Sequence, residues 1–162
     1  MSIFPQKDFL GFRLADMTTR QFMDHLLQAA QCRRTHMNIG YLNAAQYNLA
    51  FEDPRLAAHL RAMDCVYADG QSVVWAMGWL GRPIPERINA GDFARELLEE
   101  LSSRGLKLAL LGGLPGKTGE DLTDSEAACA ARQFRQWDAG LEIVFAHHGY
   151  FDITSDRAEM IR

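Results

Sequence analysis

Short apolar segments alternate with stretches of helical periodicity along this chain, and this alternation constrains the fold more than any other feature of the sequence. Between residues 22 and 30, apolar side chains recur three and four positions apart, as they do on one face of a helix. The next segment, 36–42, alternates apolar and polar residues as a strand does. Three more strands are predicted at 65–67, 108–111 and 141–146, with helical patterns between them.

Start and stop signals mark the helices between these strands. Thr18, and Asp53 followed by Pro54, are typical of helix N-termini. Asp92 is predicted to cap a later helix, and Gly81 is predicted to end the helix before it. Each of the first three predicted strands is therefore followed by a helix or a glycine-rich loop.

This order of elements predicts an α/β fold with a doubly wound, mostly parallel, Rossmann-like sheet and helices on both faces. A length of 162 residues suits a single domain, 1–162. A helical pattern that begins near Thr154 still runs at Arg162 without a stop signal, so we expect the domain to lack a C-terminal portion. In such folds ligands bind at the carboxyl ends of the strands, so functional residues are expected to follow strands.

The composition excludes several classes of protein. Lys and Arg number 17 against 21 Asp and Glu, a formal net charge of −4 that argues against a nucleic-acid partner. Three separated cysteines favour neither a disulfide framework nor a zinc site. The N-terminus lacks a secretory signal, and no apolar run is long enough to cross a bilayer. A cytoplasmic location is therefore predicted.

Polar residues or glycines follow three of the predicted strands. Asn43 comes after the first strand, Asp69 and Gly70 after the second, and Gly112 and Gly113 after the third. A carboxylate at a strand end, such as that of Asp69, can act as a general base toward a bound hydroxyl. An Asp-Gly pair is also typical of a plain turn, and the pattern alone favours that interpretation.

The glycines after the third strand also have two interpretations. The backbone amides of Gly112 and Gly113 could bind a diphosphate, or the glycines could simply form a tight turn. The segment 111–118 comes within one residue of the phosphate loop of NTPases, because Leu111 stands where that loop requires glycine. Arg87, near a predicted helix start, could neutralise phosphate charge, although a solvated surface arginine is the commoner case.

Two pairs of side chains have structural interpretations. His147 and His148 are neighbours on an extended segment, so their side chains point to opposite faces and no metal site is predicted. Trp75 and Trp79 lie one helical turn apart and are predicted to pack against the protein, with a lipid contact as the alternative.

Five blocks, taken together, resemble the WecG/TagA/CpsF glycosyltransferase family in order and spacing. The blocks are Leu42-Asn43-Ala44, Tyr67-Ala68-Asp69-Gly70-Gln71-Ser72-Val73-Val74, Arg87 with Gly91-Asp92, Leu111-Gly112-Gly113-Leu114-Pro115, and His148-Gly149-Tyr150-Phe151. The resemblance runs from about residue 10 to the end of the chain. The second block is the most specific, and through it the resemblance makes Asp69 the predicted catalytic base.

The resemblance implies an inverting, metal-independent enzyme without a cofactor. It would transfer an N-acetylmannosamine-type sugar from a UDP-sugar to an undecaprenyl-diphosphate-linked acceptor in cell-surface polysaccharide biosynthesis. The position implied is peripheral, at the inner face of the cytoplasmic membrane, and because relatives self-associate a homo-oligomer is also implied. The substrate-binding residues implied with Asp69 are Asn43, Gly70, Arg87, Gly112 and Gly113.

Two alternatives remain open on the sequence. The first is a P-loop-like NTPase that would use Lys117, although no strand-borne aspartate follows as such enzymes require. The second is a non-catalytic fragment or binding module, suggested by the expected loss of a C-terminal portion.

Overall fold

The structure, a computed structural model, describes residues 4–32, 36–116 and 124–151. The chain divides into unit 1, Met1–Ala94, and unit 2, Arg95–Arg162. The elements of unit 1 are β1 (Gln6–Phe9), β2 (Phe12–Ala15), α1 (Thr19–Gln31), β3 (Ile39–Leu42), α2 (Ala44–Glu52), α3 (Pro54–Ala62), β4 (Cys65–Ala68) and α4 (Gln71–Trp79). Helix α5 (Ala90–Ser103) contains the boundary, and unit 2 continues with β5 (Lys107–Leu111), α6 (Glu126–Trp137) and β6 (Glu142–His147).

The first two strands form an antiparallel hairpin that the sequence did not predict. Phe9 pairs with Phe12 across a two-residue loop in which Leu10 and Gly11 both have positive φ, 49° and 89°. A two-residue hairpin turn of type I′ requires positive φ at both loop positions, and a leucine rarely adopts it. Each strand has only four residues, so the alternation signal was too short to reveal them.

The other strands pair in parallel, as predicted. Strand β3 pairs with β4, with Leu42 opposite Ala68, and β5 pairs with β6, with Leu111 opposite His147. Helices α2 and α3 connect the first pair, and α6 lies between the strands of the second. The α/β, Rossmann-like fold class is therefore confirmed.

Local hydrogen bonds explain where the helices begin. Thr18 and Gln21 form a capping box at α1, and the side chain of Asp53 accepts the N–H of Arg55 at the start of α3. The prediction that Asp92 caps α5 is wrong, because α5 begins two residues earlier, at Ala90. Both Thr18 and the Asp53 start signal were predicted from the sequence.

The core of unit 1 packs beneath the β3–β4 pair. Leu14, Leu42 and Met77 are fully buried, and they pack with buried residues of β1, β2, α2, α3 and α4. Trp75 and Trp79 lie outside this core, with 58% and 85% of their surface exposed, so the prediction that they pack against the protein is wrong. Among the described residues, no helix is both long and apolar enough to span a bilayer.

Candidate functional site

The matched ends of β3 and β4 bring two of the predicted site segments together in unit 1. Leu42 and Ala68 are register partners, and the N–H of Asp69 donates to the carbonyl of Leu42 at 3.0 Å. Asn43 and Asp69 therefore leave the sheet side by side, at its carboxyl edge. Both are partly buried. The expectation that polar residues after these two strands share one edge is met.

Asn43 has a local structural role at this edge. Its side-chain oxygen accepts the N–H of Gln46 at 3.0 Å and so caps α2. Gly70 lies against it: a Cβ built on Gly70 would be 3.2 Å from the Cβ of Asn43. Because the φ of Gly70 is −112°, the glycine is required here by this close approach and not by backbone conformation.

Asp69 has a side-chain partner that sequence reasoning missed. The Nδ2 of Asn89 donates to the Oδ1 of Asp69 at 2.6 Å, across 20 positions of sequence. The other carboxylate oxygen of Asp69 has no hydrogen-bond partner among the described residues. The sequence signal that could have identified Asn89 is its position: it immediately precedes a helix, where asparagine is a favoured cap.

Tyr67 lies two residues before Asp69 on β4 and is 8% exposed. Burial raises the pKa of its phenol, and the nearby Asp69 carboxylate raises it further, with smaller effects from Tyr41 and Cys65. Its ring packs against Phe22 and lies 6.1 Å from the ring of Tyr41, centroid to centroid. The phenol of Tyr67 therefore stays protonated at neutral pH.

Arg87 lies on the segment between α4 and α5 and forms an ion pair with Asp92. Both side chains are substantially exposed, 38% for Arg87 and 64% for Asp92. Exposed ion pairs contribute about 0–1 kcal/mol, so this one holds the guanidinium only weakly. The pair also shows why Asp92 does not cap α5: its carboxylate is turned toward the arginine.

In unit 2, the double glycine lies where the ends of β5 and β6 run side by side. The N–H of Gly112 donates to the carbonyl of His147 at 3.0 Å, and the N–H of Gly149 donates to the carbonyl of Gly113 at 2.9 Å. The φ angles of Gly112 and Gly113 are 141° and 75°, a region that favours glycine. The glycines thus permit both a tight turn and a close backbone approach.

A carboxylate lies at this glycine turn. Glu126, the first residue of α6, accepts the N–H of Leu114 with its Oε2 at 2.9 Å, and its own N–H donates to the carbonyl of Leu114 at 3.1 Å. A Cβ on Gly113 would lie 2.7 Å from the Oε2 of Glu126. Of the three amides at 112–114, only that of Gly113 lacks an acceptor in the described part of unit 2.

A cavity of about 330 Å³ lies beside the turn and is lined by Leu110, Glu126 and Phe134, among others.

The two neighbouring histidines at the end of unit 2 pack together, so the prediction that their side chains point to opposite faces is wrong. His147 and His148 are each 8% exposed, with ring centroids 4.3 Å apart, and the Nδ1 of His147 lies 2.7 Å from the carbonyl oxygen of His148. The Nδ1 of His148 accepts the N–H of Tyr150 at 3.2 Å. Within residues 4–32, 36–116 and 124–151, no three His, Cys, Asp or Glu side chains cluster as a metal site would need.

The structure therefore groups the predicted site residues by unit. Asn43, Asp69, Gly70 and Arg87 belong to unit 1, and the Gly112–Gly113 turn belongs to unit 2. Lys117, on which the NTPase alternative depends, lies outside the described residues, as does the helix expected near Thr154.

A comparison with protein families shows which family this chain belongs to. The model of the glycosyl transferase WecG/TagA/CpsF family matches residues 7–162, a range that includes all five blocks noted in the sequence. The match confirms the resemblance and favours sugar transfer over nucleotide hydrolysis. With nearly its whole length matched, the chain belongs to the glycosyl transferase WecG/TagA/CpsF family and is a glycosyltransferase that acts on a sugar donor and an acceptor.

Proposed function

We propose that this glycosyltransferase moves an N-acetylmannosamine-type sugar from a UDP-sugar to an undecaprenyl-diphosphate-linked acceptor. Transfer inverts the anomeric centre, needs no metal, and contributes to cell-surface polysaccharide biosynthesis at the inner face of the cytoplasmic membrane. The observation that carries the proposal is the carboxylate of Asp69 at the carboxyl edge of β4, with one oxygen held by Asn89.

Asp69 is the general base in this proposal. Its unpartnered oxygen takes the proton of the acceptor hydroxyl as the hydroxyl oxygen bonds to the anomeric carbon of the donor. The bond from that carbon to the diphosphate oxygen breaks in the same step, and UDP leaves with the electron pair. A single displacement of this kind needs one base and inverts the configuration. The site supports it because Asp69 is partly buried and bound by a neutral donor.

The leaving diphosphate needs positive groups or amide donors, because no metal shares its charge. Arg87 can exchange its exposed partner Asp92 for a phosphate oxygen at little cost. Helix α4 begins at Gln71, directly after Asp69 and Gly70, and its N-terminus favours negative charge. In unit 2, the Gly112–Gly113 turn stays a substrate-binding candidate by the family resemblance, and the amide of Gly113 has no acceptor in the described part of that unit.

Exposed aromatic side chains support a peripheral position on the membrane. Trp75 and Trp79 on α4 and Phe51 on α2 are 58%, 85% and 84% exposed. Residues of α2 and α4 together line a cavity of about 130 Å³. Tryptophan is favoured at the boundary between water and lipid, where a lipid-linked acceptor would be bound.

Replacement of Asp69 by Asn tests the proposal. The amide oxygen of Asn can still accept the N–H of Asn89, so the fold is retained while the base is lost. We expect kcat for release of UDP, in the presence of a lipid-linked acceptor, to fall about 10²- to 10⁴-fold with little change in UDP affinity. Asp24→Asn on α1, at an exposed ion pair, is the matched control. Turnover at the original rate in Asp69→Asn would exclude Asp69 as the base.

A further inference from the structure

We propose that Asn89 is a positioning residue for the base: it fixes the rotation of the Asp69 carboxylate so that one oxygen remains directed to the acceptor hydroxyl. The inference rests on the proposed function, because it gives Asn89 a role only if Asp69 is the base. Its starting point is the 2.6 Å hydrogen bond from the Nδ2 of Asn89 to the Oδ1 of Asp69.

The orientation of the Asn89 amide is determined by its two partners. Its Oδ1 accepts the N–H of Gly91 at 2.9 Å, and an N–H can bond only to the oxygen of the amide. Its Nδ2 must therefore face Asp69, whose ionised carboxylate can only accept. Both ends of the amide are used, so the donor toward Asp69 cannot rotate away without the loss of the second hydrogen bond.

The backbone around Asn89 is attached to the same strand end as Asp69. The N–H of Ile88 donates to the carbonyl of Ala68 at 2.9 Å, and the Ile88 side chain is 1% exposed. The carbonyl of Asn89 accepts the N–H of Asp92 as α5 begins. Asn89 is thus held from both sides, next to β4 and at the first turn of a helix, which is the rigidity that a positioning residue needs.

A neutral donor suits this position. An arginine would bind the carboxylate through two charged hydrogen bonds and would stabilise its ionised form strongly, which weakens a base. Arg87 stands two residues away but pairs with Asp92 instead. The amide orients Asp69 without neutralising it, and the second oxygen stays available.

Asn89→Asp separates the two roles of this side chain, because Asp has the same shape and still accepts the N–H of Gly91. Only the donor toward Asp69 is lost, and a second carboxylate replaces it. We expect kcat to fall about 10²-fold, the usual loss when a reacting group is misplaced, while KM for the UDP-sugar changes less than about threefold. An unchanged kcat in this variant would overturn the proposal.

A swapped pair, Asp69→Asn with Asn89→Asp, provides the second measurement. The hydrogen bond between the two positions is restored with its direction reversed, so thermal unfolding should return toward that of the original chain from the lower melting temperature of Asn89→Asp. Transfer should stay absent, because the carboxylate now stands at position 89. Recovery of transfer in the swap would show that either position can hold the base and would overturn the assignment of roles. Absence of transfer in the unsubstituted chain would instead reject the proposed function, whereas normal transfer by Asn89→Asp would reject the role of Asn89 alone.

Discussion

A Cβ atom built on Gly70 would lie 3.2 Å from the Cβ of Asn43, so the start of α4 packs directly against the residue that caps α2. The two backbone segments beside Asp69 are therefore tightly packed. The shape of the candidate site depends on the absence of a side chain at Gly70. This relationship leads to the first prediction.

Gly70→Ala should displace Asn43 by a few tenths of an ångström and lower the free energy of unfolding by about 1–3 kcal/mol, the usual cost of overpacking. Transfer should fall as well, because the displaced residue adjoins Asp69. Gly78→Ala is the matched control: Gly78 lies within the same helix and a Cβ there meets nothing within 4 Å. That variant should gain up to about 1 kcal/mol from helix propensity. Urea unfolding of the two variants checks the pair, and equal effects would contradict the close approach.

Glu126→Gln should bind UDP more tightly than the original chain. The Gln oxygen can still accept the N–H of Leu114, so the glycine turn keeps its shape, while the negative charge beside Gly113 is removed. We expect a gain of about 0.5–1 kcal/mol, or about two- to fivefold in Kd by calorimetry. Glu126→Ala, which loses the acceptor, should show faster amide exchange at Leu114. Unchanged UDP affinity in Glu126→Gln would contradict the proposal that the Gly112–Gly113 turn binds the diphosphate.

A double substitution, Trp75→Ser with Trp79→Ser, should weaken binding to lipid vesicles that contain anionic lipid. Loss of two exposed indole rings from the water–lipid boundary should cost at least about 1.4 kcal/mol, or about tenfold in the partition coefficient. Trp137→Ser in unit 2, at a tryptophan that is 40% exposed, is the control. Unchanged vesicle binding, together with a smaller mass by sedimentation, would instead identify this surface as a contact between copies of the chain.

The chain should lose stability at alkaline pH through Cys65. Burial, with a smaller effect from Asp64, raises the pKa of this thiol from 9.0 to about 12. The stabilisation is fully present below pH 9 and is lost as pH rises toward 12, because the unfolded chain releases a proton that the folded chain retains. The free energy of unfolding should fall by up to about 1.4 kcal/mol per pH unit in that range. Urea unfolding from pH 7 to 10.5 measures this slope.

Cys65→Ala should show a flatter pH profile than the original chain, since it keeps the buried Tyr67 and removes only the thiol. In the original chain at neutral pH, thiol reagents should modify the exposed Cys32 and Cys129 first and reach Cys65 only on unfolding. A slope that is the same in both proteins would assign the alkaline loss to Tyr67.

The regular elements of this protein were largely predictable because their signals are local. Helical spacing and the Thr18 cap predicted α1, and alternation predicted β3, since both patterns depend on residues only a few positions apart. The two features that were not predicted, the hairpin loop and the start of α5, depend on more than the local pattern. The hairpin loop at Leu10 and Gly11 adopts a backbone conformation that its sequence disfavours, and the start of α5 depends on side-chain pairings rather than on the nearest acidic residue.

The sequence by itself determined the α/β class, the family, and the placement of Asn43 and Asp69 at strand ends, because periodicity and the order and spacing of motifs can be read along the chain. Only the tertiary structure decided what those residues touch. The hydrogen bond from Asn89 to Asp69 joins positions 20 residues apart, the carboxylate of Glu126 reaches the amide of Leu114 across 12, and the exposure of Trp75 and Trp79 depends on which helix face meets the core. Such contacts follow from how the elements pack, and no local pattern encodes them.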